Sequence, residues 1–155
     1  MLIAVMSDTH MSKGNIKKAC DSLKNVDTII HLGDNVQDVD EIKKYYDGQI
    51  IYISGNCDFC KIPSEKTFIL GGKKFFITHG HKYGVKYDTF KLEYKAKEVG
   101  ADIVLFGHTH VPYVSLEDGV WYVNPGSVSY SRSGSNSFAY VEINSETIHP
   151  IINNL

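Results

Sequence analysis

The chain has 155 residues, 43% hydrophobic and 22% charged, with 18 Asp and Glu against 16 Lys and Arg for a formal charge of -2. Such a composition predicts one globular domain over 1–155 and excludes a disordered, collagen-like or low-complexity chain. The near-neutral balance provides no bulk attraction for polyanions, so no specific nucleic-acid binding is expected. No apolar run approaches the roughly 20 residues that span a bilayer, so no membrane association is expected, and Met1 to Met6 reads as a first strand rather than a signal peptide. The three cysteines, Cys20, Cys57 and Cys60, are an odd number without secretory context, which predicts free thiols and a cytoplasmic location.

Taken in chain order, short runs rich in Ile, Val, Phe and Tyr predict strands at Leu2 to Met6, Thr28 to Leu32, Ile50 to Ile53, Lys74 to Thr78, Ile103 to Phe106, Val120 to Val123 and Phe138 to Ile143. Helical spacing falls between the early ones, at Asn15 to Leu23, Val39 to Tyr46 and Asp88 to Val99. Strand and helix therefore alternate in the first half, and short strands dominate after Val99. Ser127 to Ser137 is polar and reads as a long loop near a functional edge. The expected class is α/β, or α+β, with mixed sheets and outer helices.

Polar clusters follow the strands. The first strand runs into Ser7-Asp8-Thr9-His10, the second into Gly33-Asp34-Asn35, the third into Gly55-Asn56-Cys57-Asp58. Two further strands run into His79-Gly80-His81 and Gly107-His108-Thr109-His110. Open α/β sheets gather ligand sites at the carboxyl ends of their strands, so these clusters are expected to meet in one crevice. Side chains alternate across an extended chain, so Asp8 and His10 aim to one side, as do His108 and His110. Any one D-x-H or H-x-H is more simply an ordinary polar strand end, but five of the chain's seven histidines lie in these clusters.

Asp, Asn and His without a cysteine-rich shell suit Mn, Fe, Zn, Co or Ni rather than Mg or Ca. Two carboxylates, one amide oxygen and four imidazoles exceed the needs of one ion and fit two, about 3.5 to 4 Å apart, with one Asp bridging. Two such ions activate a water and stabilise a phosphoryl transition state, so the expected chemistry is phosphoester hydrolysis.

The ordered set SDTH, HLGDN, GNCD, THGH, GHTH and NPGS resembles the calcineurin-like metallophosphoesterase superfamily, in particular its small phosphodiesterases of the YfcE type. The resemblance runs over nearly the whole chain. It implies a four-layer α-β-β-α sandwich with two mixed sheets. It also implies that Asp8, His10, Asp34 and His110 hold one divalent ion and Asp34, Asn56, His79 and His108 the other, with Asp34 bridging. Manganese is the first expectation, with Ni, Co, Fe or Zn as alternatives. In-line attack by a metal-bridging hydroxide on a small phosphodiester is the implied reaction. Many relatives carry His directly after the GN as a general acid; here Cys57 stands there, as in the YfcE branch, and His81 is the alternative acid.

The remaining features read more plainly. Cys57 and Cys60 form a C-x-x-C without a second pair, which favours incidental thiols over redox or zinc binding. Arg132 could reach a substrate phosphate but reads first as a solvated loop residue, and His31 as a buried histidine supporting the site. The tyrosines on and near the helices suit surface packing or a homodimer or tetramer contact as well as substrate stacking. The alternatives to a phosphodiesterase are a phosphomonoesterase or nucleotidase, and a noncatalytic metal-binding scaffold of the same fold, like the retromer subunit with its degenerate metal site.

Overall fold

The computed structural model describes all residues from 1 to 155. Ten strands form two five-stranded sheets. In chain order they are β1 (Leu2–Met6), β2 (Thr28–His31), β3 (Gln49–Tyr52), β4 (Glu65–Leu70), β5 (Lys73–Thr78), β6 (Ile103–Phe106), β7 (Pro112–Glu117), β8 (Val120–Pro125), β9 (Ser137–Ile143) and β10 (Ile148–Asn154). The helices are α1 (Lys13–Asp21), α2 (Val39–Ile42) and α3 (Phe90–Val99). One sheet has the order β10-β9-β1-β2-β3 and the other β4-β5-β6-β8-β7. Both are mixed: β1, β2 and β3 are parallel, as are β5, β6 and β8, and the antiparallel partners lie outside them.

Alternation along each strand divides its side chains between two layers of core. Ile3 and Val5 of β1, Phe75 and Ile77 of β5, Ile103 and Leu105 of β6, and Val141 of β9 meet between the sheets in one fully buried cluster. Their neighbours Ala4 and Met6 face the other way, onto Ile16, Ala19 and Cys20 of α1 and Ile42 of α2. On the second sheet Phe76, Val104 and Tyr122 pack against Leu92 and Ala96 of α3. The result is the α-β-β-α sandwich, with helices covering both outer faces.

Three strands escape the periodicity, and all three are sheet edges: β4, β7 and β10. An edge strand has one neighbour instead of two, so it tolerates charge, exposure and proline. β4 begins with Glu65 and Lys66, β7 with Pro112, and β10 contains Pro150 opposite Val141. The helix expected over Val39 to Tyr46 is shorter. It follows a 3₁₀ turn at Val36–Asp38 and ends at Ile42, where Lys44 and Tyr45 turn to i to i−3 bonds on Glu41 and Ile42. Tyr46 leaves the helical surface to donate its hydroxyl to the carbonyl of Val26 at 3.3 Å.

Because Leu105 lies wholly between the two sheets, Leu105→Ala is expected to lower the unfolding free energy by about 2–5 kcal/mol, measured by urea denaturation of the metal-free protein.

Candidate metal centre

The seven candidate ligands leave the sheets at the carboxyl ends of five parallel strands: Asp8 and His10 after β1, Asp34 after β2, Asn56 after β3, His79 after β5, His108 and His110 after β6. Five of them turn through the left-handed backbone region, with φ of 53° at Asp8, 42° at His10, 57° at Asp34, 68° at His108 and 60° at His110. Such residues cost of order 1–3 kcal/mol each and persist only where the surroundings hold them. Those surroundings are polar and specific. The carbonyl of Asp8 accepts the hydroxyls of Ser127 at 2.8 Å and Ser129 at 2.9 Å. Asp58 accepts the backbone N–H groups of Asp34, Val36 and Gly55 at 2.7 to 2.9 Å. Asn124 donates to the carbonyl of Gly107 at 2.8 Å and the hydroxyl of Thr109 at 3.0 Å, which pins the loop carrying His108 and His110.

Two glycines let these loops approach. A Cβ on Gly55 would collide with the carboxylate and backbone nitrogen of Asp34 and with His79, and one on Gly107 with the Ser7 hydroxyl and Asp8.

The donor atoms converge. Ligand atoms of Asp8, His10, Asp34 and His110 all lie within 4.8 Å of one another. The Nε2 atoms of His10 and His110 are 3.4 Å apart. Beside them, His79 Nε2 lies 3.3 Å from Asp34 Oδ1 and 3.1 Å from Asn56 Oδ1. The His79 and His108 ring centroids are 5.1 Å apart. His81 stands at the same edge, 5.5 Å from His79 and 6.1 Å from His108 by ring centroid, and its Nδ1 is buried without a hydrogen-bond partner. Cys57 is exposed; its backbone N–H donates to Asp34 Oδ1 at 2.9 Å.

The bonding of these residues fits a divalent cation. Asp8 Oδ2 is satisfied, by the Ser7 hydroxyl at 2.5 Å and the His108 N–H at 3.1 Å. Asp8 Oδ1 is buried and accepts no hydrogen bond, with the Nε2 atoms of His110, His10 and His79 at 3.0, 3.9 and 3.9 Å. A buried carboxylate oxygen left without a donor is rare and costly unless a cation completes it. Two of the rings are also aimed from behind: His79 Nδ1 bonds the carbonyl of Leu32 at 2.8 Å and His110 Nδ1 that of Tyr130 at 2.7 Å. Each Nε2 then presents its lone pair to the crevice, the second-layer arrangement of metal-binding imidazoles.

Electrostatics follows the same geometry. Burial opposes ionisation of Asp8 and Asp34, yet the facing rings of His110 and His79 and the donors from Ser7 and Cys57 outweigh it and hold both carboxyls below the usual range. Burial likewise opposes protonation of His79, but Asp34 and Asp8 raise its pKa, and the contact with Asp8 raises that of His110. Burial, with His79 and Lys86, pushes His108 down to about 4. Metal ligation needs neutral rings, so protons on His79 and His110 compete with a cation, and affinity rises with pH.

His31 supports the crevice without facing it. It is wholly buried, bonds the Thr9 hydroxyl at 3.1 Å, and accepts the Gly33 N–H on Nδ1 at 3.2 Å. The motifs GNCD and NPGS and the loop after them mark the segments of Asp58, Asn124, Ser127 and Ser129, but not the hydrogen bonds these side chains make. A signal existed for Asp58, since an Asp three residues after a glycine in a strand exit is suited to capping loop N–H groups. Nothing in the sequence tells which loop Ser127 and Ser129 would reach. All three cysteines are free thiols, with Cys57 and Cys60 exposed and Cys20 buried.

Burial lowers the pKa of His31 from 6.5 to about 4. The unfolded chain takes up a proton between those values and the folded chain does not, so stability present above pH 6.5 is lost as pH falls through about 4. The full contribution is about 3 kcal/mol. His31→Gln is therefore expected to flatten the dependence of unfolding free energy on pH between 6.5 and 4 in metal-free protein; an unchanged slope would contradict a neutral buried ring.

Residues 1–146 match the family model described as the calcineurin-like phosphoesterase superfamily domain. A relative named phosphodiesterase MJ0936, from Methanocaldococcus jannaschii, is 37% identical over 145 residues, covering 81% of this chain and 83% of its own. Among solved structures, a conserved uncharacterized protein and predicted phosphoesterase from Streptococcus pneumoniae superposes with a TM-score of 0.83 at 32% identity, over 99% of this chain and 88% of that one. The zinc complex of Vps29 from Entamoeba histolytica shares the fold, with a TM-score of 0.74 at 18% identity over 99% of both chains. The chain belongs to the calcineurin-like phosphoesterase superfamily, whose phosphoesterase members are metal-dependent.

Proposed function

We propose that this protein is a dinuclear metal-dependent phosphodiesterase acting on a small phosphodiester. The observation that carries the reading is the buried, unpaired Oδ1 of Asp8 facing the Nε2 atoms of three histidines. One ion would be held by Asp8, His10, Asp34 and His110, and the second by Asp34, Asn56, His79 and His108, with Asp34 shared. When bound, such ions neutralise phosphoryl charge and lower the pKa of water. Manganese is the first choice, and Ni, Co, Fe and Zn accept the same donors.

The chain's own groups prepare the reaction. The carbonyls of Leu32 and Tyr130 fix the tautomers of His79 and His110, and the Cys57 N–H holds Asp34 in place. The proton for the leaving alkoxide has two candidate donors. Although the Cys57 residue is exposed, its sulfur loses water and lies near Asp34, which pushes the thiol up to about 11 and makes it a weak acid at neutral pH. Burial, with His79 and Lys82, lowers the pKa of His81, and its Nδ1 stands buried without a hydrogen-bond partner at the edge of the crevice. A general acid works best with a pKa near the working pH, which disfavours Cys57, and the place of His81 beside His79 and His108 makes it the candidate donor.

A scaffold role without catalysis is the competing reading, suggested by the Vps29 fold. The complete donor set favours the enzyme. A phosphomonoesterase would use the same centre, and the relative named a phosphodiesterase favours diester cleavage. Free thiols suit action in the cytoplasm, and no helix is long and apolar enough to cross a membrane.

Protein stripped with EDTA and resupplied with Mn, Ni, Co, Zn or Mg in turn is expected to regain hydrolysis of bis-p-nitrophenyl phosphate, above that of the monoester. Asp34→Asn is expected to abolish it. Folded protein inactive with every metal would overturn the enzymatic reading, and an active Asp34→Asn would overturn the shared carboxylate. His81→Ala is expected to lower kcat on an alkyl diester by about 10²–10⁴ with metal content by mass spectrometry retained; loss of an ion would make His81 a ligand instead.

A further inference from the structure

An open cavity of about 360 Å³ lies against His10 and His110, and the rest of its wall is Tyr130, Ser131 and Arg132. Arg132 is the only arginine of the chain. It forms no ion pair, whereas the carboxylates of Asp8 and Asp34 face histidine rings and that of Asp58 accepts backbone N–H groups.

The loop that carries it is tied down on several sides. The Arg132 N–H donates to the carbonyl of His110 at 3.1 Å. Ser131 donates its N–H to Asn136 Oδ1 at 3.0 Å, and Tyr130 its N–H to the Ser127 hydroxyl at 2.8 Å. The Tyr130 carbonyl holds His110, and its largely exposed ring stands edge-on to His10 at 6.2 Å. The same short segment thus orients a candidate ligand and presents a free guanidinium and an aromatic face to one cavity.

A guanidinium is a planar fork matched to phosphate and carboxylate oxygens, and without a protein carboxylate it is available to an anion from solution. Arg132 stands outside the seven donors that would face the phosphoryl group. The cavity also greatly exceeds the roughly 30 Å³ share of one water, leaving room for a substituent of the substrate. We propose that this cavity receives one ester arm of the substrate and that Arg132 binds a second oxyanion, a phosphate or a carboxylate, carried on that arm, with Tyr130 lining its side. This inference rests on the phosphodiesterase reading and narrows its substrates to diesters bearing a further negative charge.

The test is calorimetric binding to the manganese-loaded full chain of thymidine 5′-monophosphate, thymidine 3′,5′-bisphosphate and the 3′-O-succinyl monophosphate, for wild type, Arg132→Ala and Arg132→Lys. Wild type is expected to bind a ligand with the second anion about ten- to hundredfold more tightly than the monophosphate, the better of the two identifying the oxyanion. That ratio should fall to near unity in Arg132→Ala and be partly restored in Arg132→Lys, with metal content and circular dichroism unaltered. Equal binding of all three ligands by wild type, or a preference that survives in Arg132→Ala, would overturn the proposal. Hydrolysis of bis-p-nitrophenyl phosphate by the same samples separates the two readings. Activity without the preference removes the subsite alone, and the preference without activity leaves an anion site on a protein that does not hydrolyse diesters.

Discussion

The buried carboxylate of Asp8 is the tie on which the rest of the centre depends. It follows β1 of one sheet, and its Oδ2 accepts the backbone N–H of His108 after β6 of the other. Its own carbonyl accepts Ser127 and Ser129 from the loop after β8, and its remaining oxygen faces three imidazoles. Apolar packing alone fixes the relation of the strand exits loosely, and the bond from His79 Nδ1 after β5 to the Leu32 carbonyl after β2 ties them at a second point. Asp8, the serines and His79 fix it with hydrogen bonds, whose geometry is far more directional than apolar contact.

Rigidity at the centre is set against local strain. Five candidate ligands adopt left-handed backbone conformations, which β-branched or bulky residues rarely tolerate and which Asp and His tolerate only with support. Asp58 gathers three N–H groups of two loops onto one carboxylate, and Asn124 gathers the loop of His108 and His110. The glycines at 55 and 107 remove the Cβ atoms that would keep those loops apart. The strain is thus located where donor atoms must converge, and the large apolar core between the sheets supplies the stability that sustains it.

Charge is balanced within the same few ångströms. Two carboxylates held below the usual range face two imidazoles held above it. His108 and His31 go the opposite way, because burial dominates where no carboxylate bonds the ring. Arg132 adds a positive charge at the rim, beyond the ring of ligands, on the same loop that steers His110. The centre and its rim are therefore mechanically coupled through Tyr130 and the Arg132 N–H.

The sequence by itself determined the interior strands, since β1 and β6 are apolar throughout and β2 and β5 hold Ile29-Ile30 and Phe75-Phe76-Ile77, adjacent apolar residues that point to burial on both faces. It also determined the seven polar positions at their ends, because short polar clusters after apolar runs are local signals. Its family resemblance reached the four-layer sandwich. What only the tertiary structure decided lies in contacts between residues far apart in the chain. The edge strands β4, β7 and β10 are defined by a single neighbour and tolerate any pattern, so they left no periodic trace. The end of α2 at Ile42 depends on where Tyr46 finds a hydrogen-bond partner, across from Val26. The motifs mark Asp58 and Ser127, yet which backbone groups they and Ser129 hold is settled only when the fold brings Asp34 and Asp8 to them, and Arg132 acquires a site only once β6 and the loop after β8 stand side by side. Periodicity records which face of an element is buried; it carries no information on which distant backbone groups will need a partner, and that requirement is set only when the two sheets close.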